Sequence, residues 1–555
     1  MSYGYNAWDL TDEEKGLRGV WILNTVFATP PLSPLYLEEF ITHFGWGLYY
    51  AADYFSFPMS RGWDLRDYKG FIYCSVTPVR EEDQERREPK FRERLAPWIE
   101  DSWGMWIKYR DDFIARWEPL ASQNVEQMSD GELGYHLFEI WGLLRKLWED
   151  HMITAAGPMS VHQAFHRTLT ELTGINVTDP IYAKAMAGFD NTILDISRKA
   201  AGLASKSFEL GLEDNFKLPN EEVLPAMKQS EAGQKWLKEF QDFLDVWGWK
   251  SSRLWEFYVP TWKEKPEQAI DEIKTFVESE GKFTPDIERD RVIKEREEAE
   301  KEILTKIPLT QREAFEKLLR SSQQCCRYME DHNWWYECRT NGIFRRAALE
   351  LGKRMAKYGA LDEPDDIFCL CFDELIRACV PQEMTALKYI ARKNKEEWKK
   401  ALSTPYPSDE IPLMMGDPSW LGKYVEWDPL FSESFAPRVA DPEEVGALCT
   451  GGAGAPGIAE GIARVITNKE DWDQLQLGEI LVAPSTDSTW TSRFGMIKAA
   501  VTDGGGALSH PTIISREYGI PCVSGTLDAT QKIKTGDKIK VDGNLLRVYL
   551  LERKE

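Results

Sequence analysis

The sequence has little of what marks secreted, membrane-spanning or nucleic-acid-binding chains. Nine cysteines in 555 residues are too few for a disulfide scaffold, and neither Cys325-Cys326 nor Cys369-x-Cys371 has the paired C-x-x-C spacing of a zinc site. They read as reduced, buried thiols. No run approaches the roughly 20 apolar residues of a bilayer span, and Met1 to Lys15 holds neither a basic n-region nor an apolar h-region. The expectation is a cytoplasmic protein without a membrane partner. Basic residues are outnumbered, 68 Lys+Arg against 91 Asp+Glu, and the net charge of −23 repels phosphate backbones. No nucleic-acid partner is expected. There is no G-x-x-x-x-G-K-[ST] loop and no H-E-x-x-H, so neither a P-loop nor a zinc-protease helix is encoded.

What is present is length, aromatic surface and two textures. At 555 residues, with 43% hydrophobic and 29% charged, the chain has material for two to four folded domains. Its 22 Trp, 20 Tyr and 25 Phe include tryptophans concentrated before residue 430, enough for large apolar walls. From Trp98 to Leu402 the apolar residues recur at helical spacing between Glu/Lys runs. Ile287 to Lys306 reads as an exposed helix with i,i+4 charge pairs. Residues 1–97 are mixed and aromatic-rich, with Phe44 to Phe57 and a strand-like Phe71 to Val76, so that 1–403 reads as one helical body. Around 404–447 prolines and glycines replace periodicity, the pattern of an irregular connection. From 448 to 555 short apolar runs (461–466, 480–483, 499–502, 522–524, 538–541, 546–551) alternate with glycine turns, a compact α/β unit. At its start Gly452 to Gly457 satisfies G-x-G-x-x-G, but it lacks the strand before and helix after that a dinucleotide needs. It reads as a flexible domain entry.

Within that unit Ala499 to Thr502 runs into Asp503-Gly504-Gly505-Gly506, then Ser509-His510-Pro511 and on to Gly519-Ile520-Pro521. Pro511 suits a first helical position, Gly519 a left-handed C-terminal one, and Pro521 forbids continuation, giving a helix over 511–518 with Ser509 or His510 at its N-cap. A phosphoryl group on that imidazole would meet free backbone N–H groups and a favourable dipole, and the glycines would let the backbone approach. Gly504, Gly505, Gly506 and Ser509 are therefore the expected phosphate-binding residues. The plain alternative is a histidine that only caps a helix.

Thr502 to Gly505, Ser509-His510 and Arg516 to Pro521 together resemble the phosphohistidine domain of the phosphoenolpyruvate-utilising enzymes. The resemblance covers roughly Gly451 to Leu551, including Gly457 to Val465, Ile480 to Pro484, Thr486-Asp487 and Trp490-Thr491. Ser488, Ser492 and Ser515 stand where the family often has other residues. The resemblance implies that His510 is the residue phosphorylated, on a domain that swivels between two distant sites. The fold class expected is multidomain: a large, mainly α-helical substrate-binding body plus a small C-terminal α/β swivelling phosphohistidine domain. In the family an ATP-grasp domain phosphorylates the histidine. Nothing in the sequence supplies one, so ATP and Mg²⁺ are expected on a separate ATP-grasp subunit, with no cofactor or metal held tightly by this chain. No phosphoenolpyruvate-binding barrel is expected after the histidine domain either.

The body is then expected to hold the acceptor. Glu330-Asp331-His332-Asn333-Trp334-Trp335-Tyr336-Glu337-Cys338-Arg339 would, if helical, place His332, Trp335, Tyr336 and Arg339 on one face. His332, assisted by Glu330 or Asp331, suits a general base; Arg339 suits the travelling phosphoryl oxygens; Trp335 and Tyr336 suit pocket walls. An amphipathic core helix is the alternative. This run, with 349–354 and 359–370, is similar to the body of rifampin phosphotransferase and its relatives. Its Glu-Asp-His-Asn stretch is similar to the phosphohistidine-bearing subunits of phenylphosphate synthase and cresol-phosphorylating enzymes, which implies a small phenolic acceptor. A larger hydroxylated natural product, a pyruvate-like acid or a non-catalytic relative are the alternatives. His162 and His166, spaced i,i+4, read as a polar cluster rather than a metal pair, and His43, His136 and His151 as packed or exposed.

Overall fold

In the computed structural model, which describes residues 19–28, 30–279, 286–379, 386–434, 438–467 and 469–554, the helical periodicity of the middle region becomes a bundle of long helices. Met1 to Lys15 lies outside the described residues. Helix α1 (Glu81–Ala121) begins with Glu81, Glu82 and Asp83 at its positive end. It breaks only at Asp101, whose carboxylate accepts the N–H of Gly104 and restarts the helix. Helix α2 (Asp130–Thr173) opens on a Ser129/Glu132 capping box and stops at Gly174, at φ 76°. Helices α3 (Arg312–Tyr328) and α4 (Arg339–Lys357) pack across both. The shared core is aromatic: Trp106 stacks on Tyr328 with ring centroids 5.5 Å apart and planes 3° from parallel. The exposed helix expected over 287–306 runs from Arg289 to Lys306 and carries Arg291–Glu295 and Arg296–Glu300 pairs.

A small antiparallel sheet covers one end of the bundle in the order β2 (Ser60–Tyr68), β3 (Phe71–Pro78), β1 (Val20–Leu23), β4 (Met414–Gly416). Strand β4 comes from the segment expected to be an irregular connection. That expectation is corrected: 404–447 holds β4 and the helices Trp420–Trp427 and Pro429–Ser434, the second packed on α2. Elements of three to eight residues leave no periodicity to read.

The C-terminal unit is an eight-stranded sheet, β5-β12-β11-β7-β8-β9-β10-β6, in which β7 (Ile458–Val465), β8 (Ile480–Ala483), β9 (Ala499–Thr502) and β10 (Cys522–Ser524) run parallel. The remaining strands are β5 (Cys449–Thr450), β6 (Ala453–Ala455), β11 (Lys538–Asp542) and β12 (Arg547–Glu552). Strand β6 lies inside the G-x-G-x-x-G stretch, which is therefore an edge strand on β10 and not a flexible entry. A Cβ on Gly454 would sit 2.0 Å from the Cys522 carbonyl, so glycine is required by this pairing.

Candidate functional site

The chain leaves β9, turns through Gly504 to Gly506 and enters helix α5 (His510–Tyr518), with Ser509 at the N-cap and Gly519 left-handed at φ 65°. His510 is the first helical residue and Pro511 the second, so the helix starts one residue earlier than the expected 511. The imidazole is buried and both nitrogens are engaged: the Thr486 hydroxyl lies 2.8 Å from Nδ1 and the Thr491 hydroxyl 3.0 Å from Nε2. Phe494 meets the ring edge-on at 5.6 Å. Thr486 precedes, and Thr491 lies within, a short 3-10 turn, Ser488–Gly495, capped by Asp487, which accepts the Thr489 N–H.

The glycines serve a different end from the one expected. In this arrangement the N–H of Gly504 is donated to the Pro484 carbonyl and that of Gly505 to the Ser434 carbonyl of the helical body. A Cβ on Gly504 would meet Val26 of the body at 2.8 Å. Gly505, at φ 121°, would drive a Cβ to 2.3 Å from Ser524 Oγ. The Ser509 hydroxyl donates to the Gly506 carbonyl. The expectation of a phosphate cradle at Gly504 and Gly505 is corrected: these residues let the α/β unit dock closely, because their donors already hold carbonyls. A second contact comes from Glu517, whose two carboxylate oxygens accept the N–H groups of Gly188 (3.0 Å) and Phe189 (2.9 Å).

Docking brings His510 to an inner chamber of about 110 Å³. Ser509, Thr486 and Asp487 line it from the α/β unit, and Glu330, His332, Asn333 and His151 from the body, among apolar walls that include Phe27, Trp63 and Trp255. An outer cavity of about 430 Å³, walled by Trp255, Tyr258, Trp262, Trp472 and Trp490, adjoins it at Val26, Phe27 and 485–487.

Opposite His510 stand three side chains that the sequence did not group. Glu337 is buried, pairs through Oε1 with Nδ1 of His151 from α2, and lies 3.4 Å through Oε2 from Nδ1 of His332. The two imidazole rings meet edge to face at 4.2 Å. Between α3 and α4 the chain passes through a π-helical turn, Asn333–Cys338. A π turn closes i to i+5, which brings residues five apart, His332 and Glu337, side by side. Burial would raise the Glu337 carboxyl, but the two histidines outweigh it and hold it down at about 2. His151 is held below the usual imidazole range by burial and by His332. Glu330 is pushed well above the usual carboxylate range by burial, with Asp487 adding to the shift.

The same π turn undoes the shared face expected for His332, Trp335, Tyr336 and Arg339, because an extra residue per turn rotates the last three away. Tyr336 is fully buried against Phe113 and Trp106, at 4.8 and 5.5 Å. Trp335 donates to the Thr192 hydroxyl, and the Arg339 guanidinium lies 3.8 Å over Trp117 and 5.1 Å from Trp335. None of the three lines the chamber, so Arg339 is not placed to meet a phosphoryl group there. Asp331 accepts the N–H of Thr192 at 2.6 Å and anchors the helix Thr192–Glu209 rather than assisting a base. His151, read as merely packed or exposed, belongs to the site, a correction no spacing rule signalled because its partners lie 181 and 186 positions away. His162 and His166 pack around Tyr182, in keeping with a polar cluster.

A helical body with a docked α/β unit that presents a histidine into the body's cavity defines a two-part, mobile-domain architecture. Residues 475–545 match the mobile domain of the PEP-utilising enzymes, and residues 187–330 match the fourth domain of rifampicin phosphotransferase. Two separate stretches of the chain are thus similar to parts of phosphoenolpyruvate-utilising enzymes. It is 27% identical over 334 residues, 60% of its length, to an uncharacterized phosphotransferase, YvkC, of Bacillus subtilis. It is also 27% identical over 340 residues to the rifampicin phosphotransferase of Bacillus subtilis, and 27% over 325 residues to the prodigiosin synthesizing transferase PigC of Serratia marcescens. These matches span 38%, 36% and 34% of the three relatives. Among the described residues no helix is long and apolar enough to cross a membrane.

Proposed function

We propose that this chain is a phosphotransferase component. His510 takes a phosphoryl group from ATP on a separate ATP-grasp subunit that also holds Mg²⁺, and docking carries the group to a hydroxylated aromatic acceptor in the inner chamber. The observation that carries this reading is the placement of His510 across one small, largely apolar chamber from His332 and His151, which Glu337 holds from behind. In the transfer the acceptor oxygen attacks phosphorus as the P–N bond to His510 breaks and its electron pair returns to the imidazole. The hydroxyl proton passes to His332, which Glu337 orients. Burial excludes water that would otherwise hydrolyse the phosphohistidine. A cavity of about 150 Å³ holds benzene, so a chamber of about 110 Å³ admits one ring at most, which favours a small phenol over a polycyclic acceptor there.

A larger hydroxylated natural product is the second reading, favoured by the outer cavity, whose 430 Å³ lies in the range of drug-sized sites. The test is to incubate the chain with a candidate ATP-grasp subunit, radiolabelled ATP, and panels of phenols and polycyclic hydroxylated compounds. Label on wild type, none on His510→Ala, and an aryl phosphate after the chase support the reading. Label that persists in His510→Ala would falsify it. Turnover of the polycyclic compounds alone would move the assignment to the second reading.

A further inference from the structure

The phosphoryl group brings roughly two negative charges to the chamber, and among the described residues lining it there are Glu330 and Asp487 but no lysine or arginine. The cation expected from Arg339 is stacked on Trp117 instead. Behind the wall Glu337, whose carboxyl is held down by its two histidines, adds negative charge of its own. Negative charge gathered in a poorly hydrated space is costly without a counter-ion.

The structure supplies a place for one. One nitrogen each from His151 and His332 and one carboxylate oxygen of Glu337 all lie within 4.8 Å of one another, and the three residues are buried. Ligands held about 2.0–2.2 Å from a tetrahedral ion stand a little over 3 Å apart, so side-chain shifts on the order of an ångström would bring this set around a metal. Two histidines and a glutamate with the fourth position open are the donor set of catalytic zinc centres. Both histidines border the chamber, so the open position would face the acceptor.

We propose that His151, His332 and Glu337 bind one divalent first-row transition ion of the zinc type, at the wall of the chamber facing His510. The ion takes the acceptor hydroxyl as its fourth ligand and lowers the affinity of that oxygen for its proton. In that state His332 is a ligand, and the proton passes to the carboxylate of Asp487, which lines the same chamber. The metal-held oxygen then forms the O–P bond while the P–N bond to His510 breaks. The inference deepens the proposed function, but binding of the ion can be measured without it.

The experiment is to strip the purified chain with a chelator, titrate it with Co²⁺, record the visible spectrum, and measure bound Zn²⁺ per chain by elemental analysis. One equivalent and the intense visible bands of four-coordinate Co²⁺ are expected. Both should be lost in Glu337→Gln and His151→Asn, and both kept in His162→Ala, which breaks the i,i+4 pair His162/His166. Circular dichroism melting of each variant establishes that loss of metal is not loss of fold. Less than one-tenth equivalent in the wild type overturns the proposal whatever the variants do. So does equal binding by wild type and folded Glu337→Gln. If the metal binds but no acceptor is ever phosphorylated, the functional reading fails while the site stands.

Discussion

Glu517 is the buried carboxylate that joins the α/β unit to the body, and it makes domain closure depend on pH. Burial pushes its carboxyl up to about 8, against the pull of the Phe189 and Gly188 N–H groups and of Arg296 and Arg289. When the unit leaves the body, as the proposed transfer requires, Glu517 returns to water and to its ordinary 4.5. The closed form therefore binds the proton more tightly, so closure is strongest below 4.5 and fades as pH rises through 8. Between pH 6 and pH 9 these two values give a fall of about 100-fold in the closed-to-open ratio, about 2.7 kcal/mol. Glu517→Gln keeps one acceptor and cannot ionise. It should lose one hydrogen bond, about 1 kcal/mol of closure, and show a flat pH profile. The assay is energy transfer between dyes at Leu309 and Leu477, both well exposed, one on each unit. An unchanged wild-type signal from pH 6 to 9, or an equal change in Glu517→Gln, would refute the reasoning.

Three further outcomes follow from the geometry. Thr486→Val keeps the shape beside His510 but removes the hydroxyl 2.8 Å from Nδ1; one hydrogen bond of about 1–1.5 kcal/mol orients the ring, so phosphohistidine should form about tenfold more slowly. A change under twofold in rapid-quench labelling speaks against that role. Gly505→Ala, at φ 121° and with Ser524 Oγ only 2.3 Å from the new carbon, should destabilise the α/β unit by about 2–4 kcal/mol, read as a lower melting temperature. Acidification should unfold the body through its buried histidines. His43 is held down to about 3 by burial and by Arg145, and His136 to about 4 by burial and by Arg346. Depressed imidazoles stabilise above their ordinary 6.5 and lose that contribution as pH falls. At pH 4.5 His43 alone removes about 3 kcal/mol, and urea midpoints that stay level from pH 7 to 4.5 are incompatible with this account.

Strong local codes were readable in advance. The strands at 480–483, 499–502 and 522–524 lie where short apolar runs between glycines placed them. Pro511, Gly519 and Pro521 bracketed α5 to within one residue, since each acts through its own backbone dihedrals. The 3.6 period alone announced the helical body. Where the chain is short-winded, as at β4, β6 and the helix 429–434, no repeat is long enough to register.

The candidate site divides along the same line. By itself the sequence determined that a histidine opens a short helix after a glycine turn, because caps and turns depend on neighbouring residues. Tertiary structure alone decided what faces that histidine. One π turn brought Glu337 beside His332 and sent Arg339 to Trp117, and the packing of α2 supplied His151 from 181 positions away. A single extra residue in a helical turn changes which side chains share a face, and no pattern of spacing in the letters carries that information.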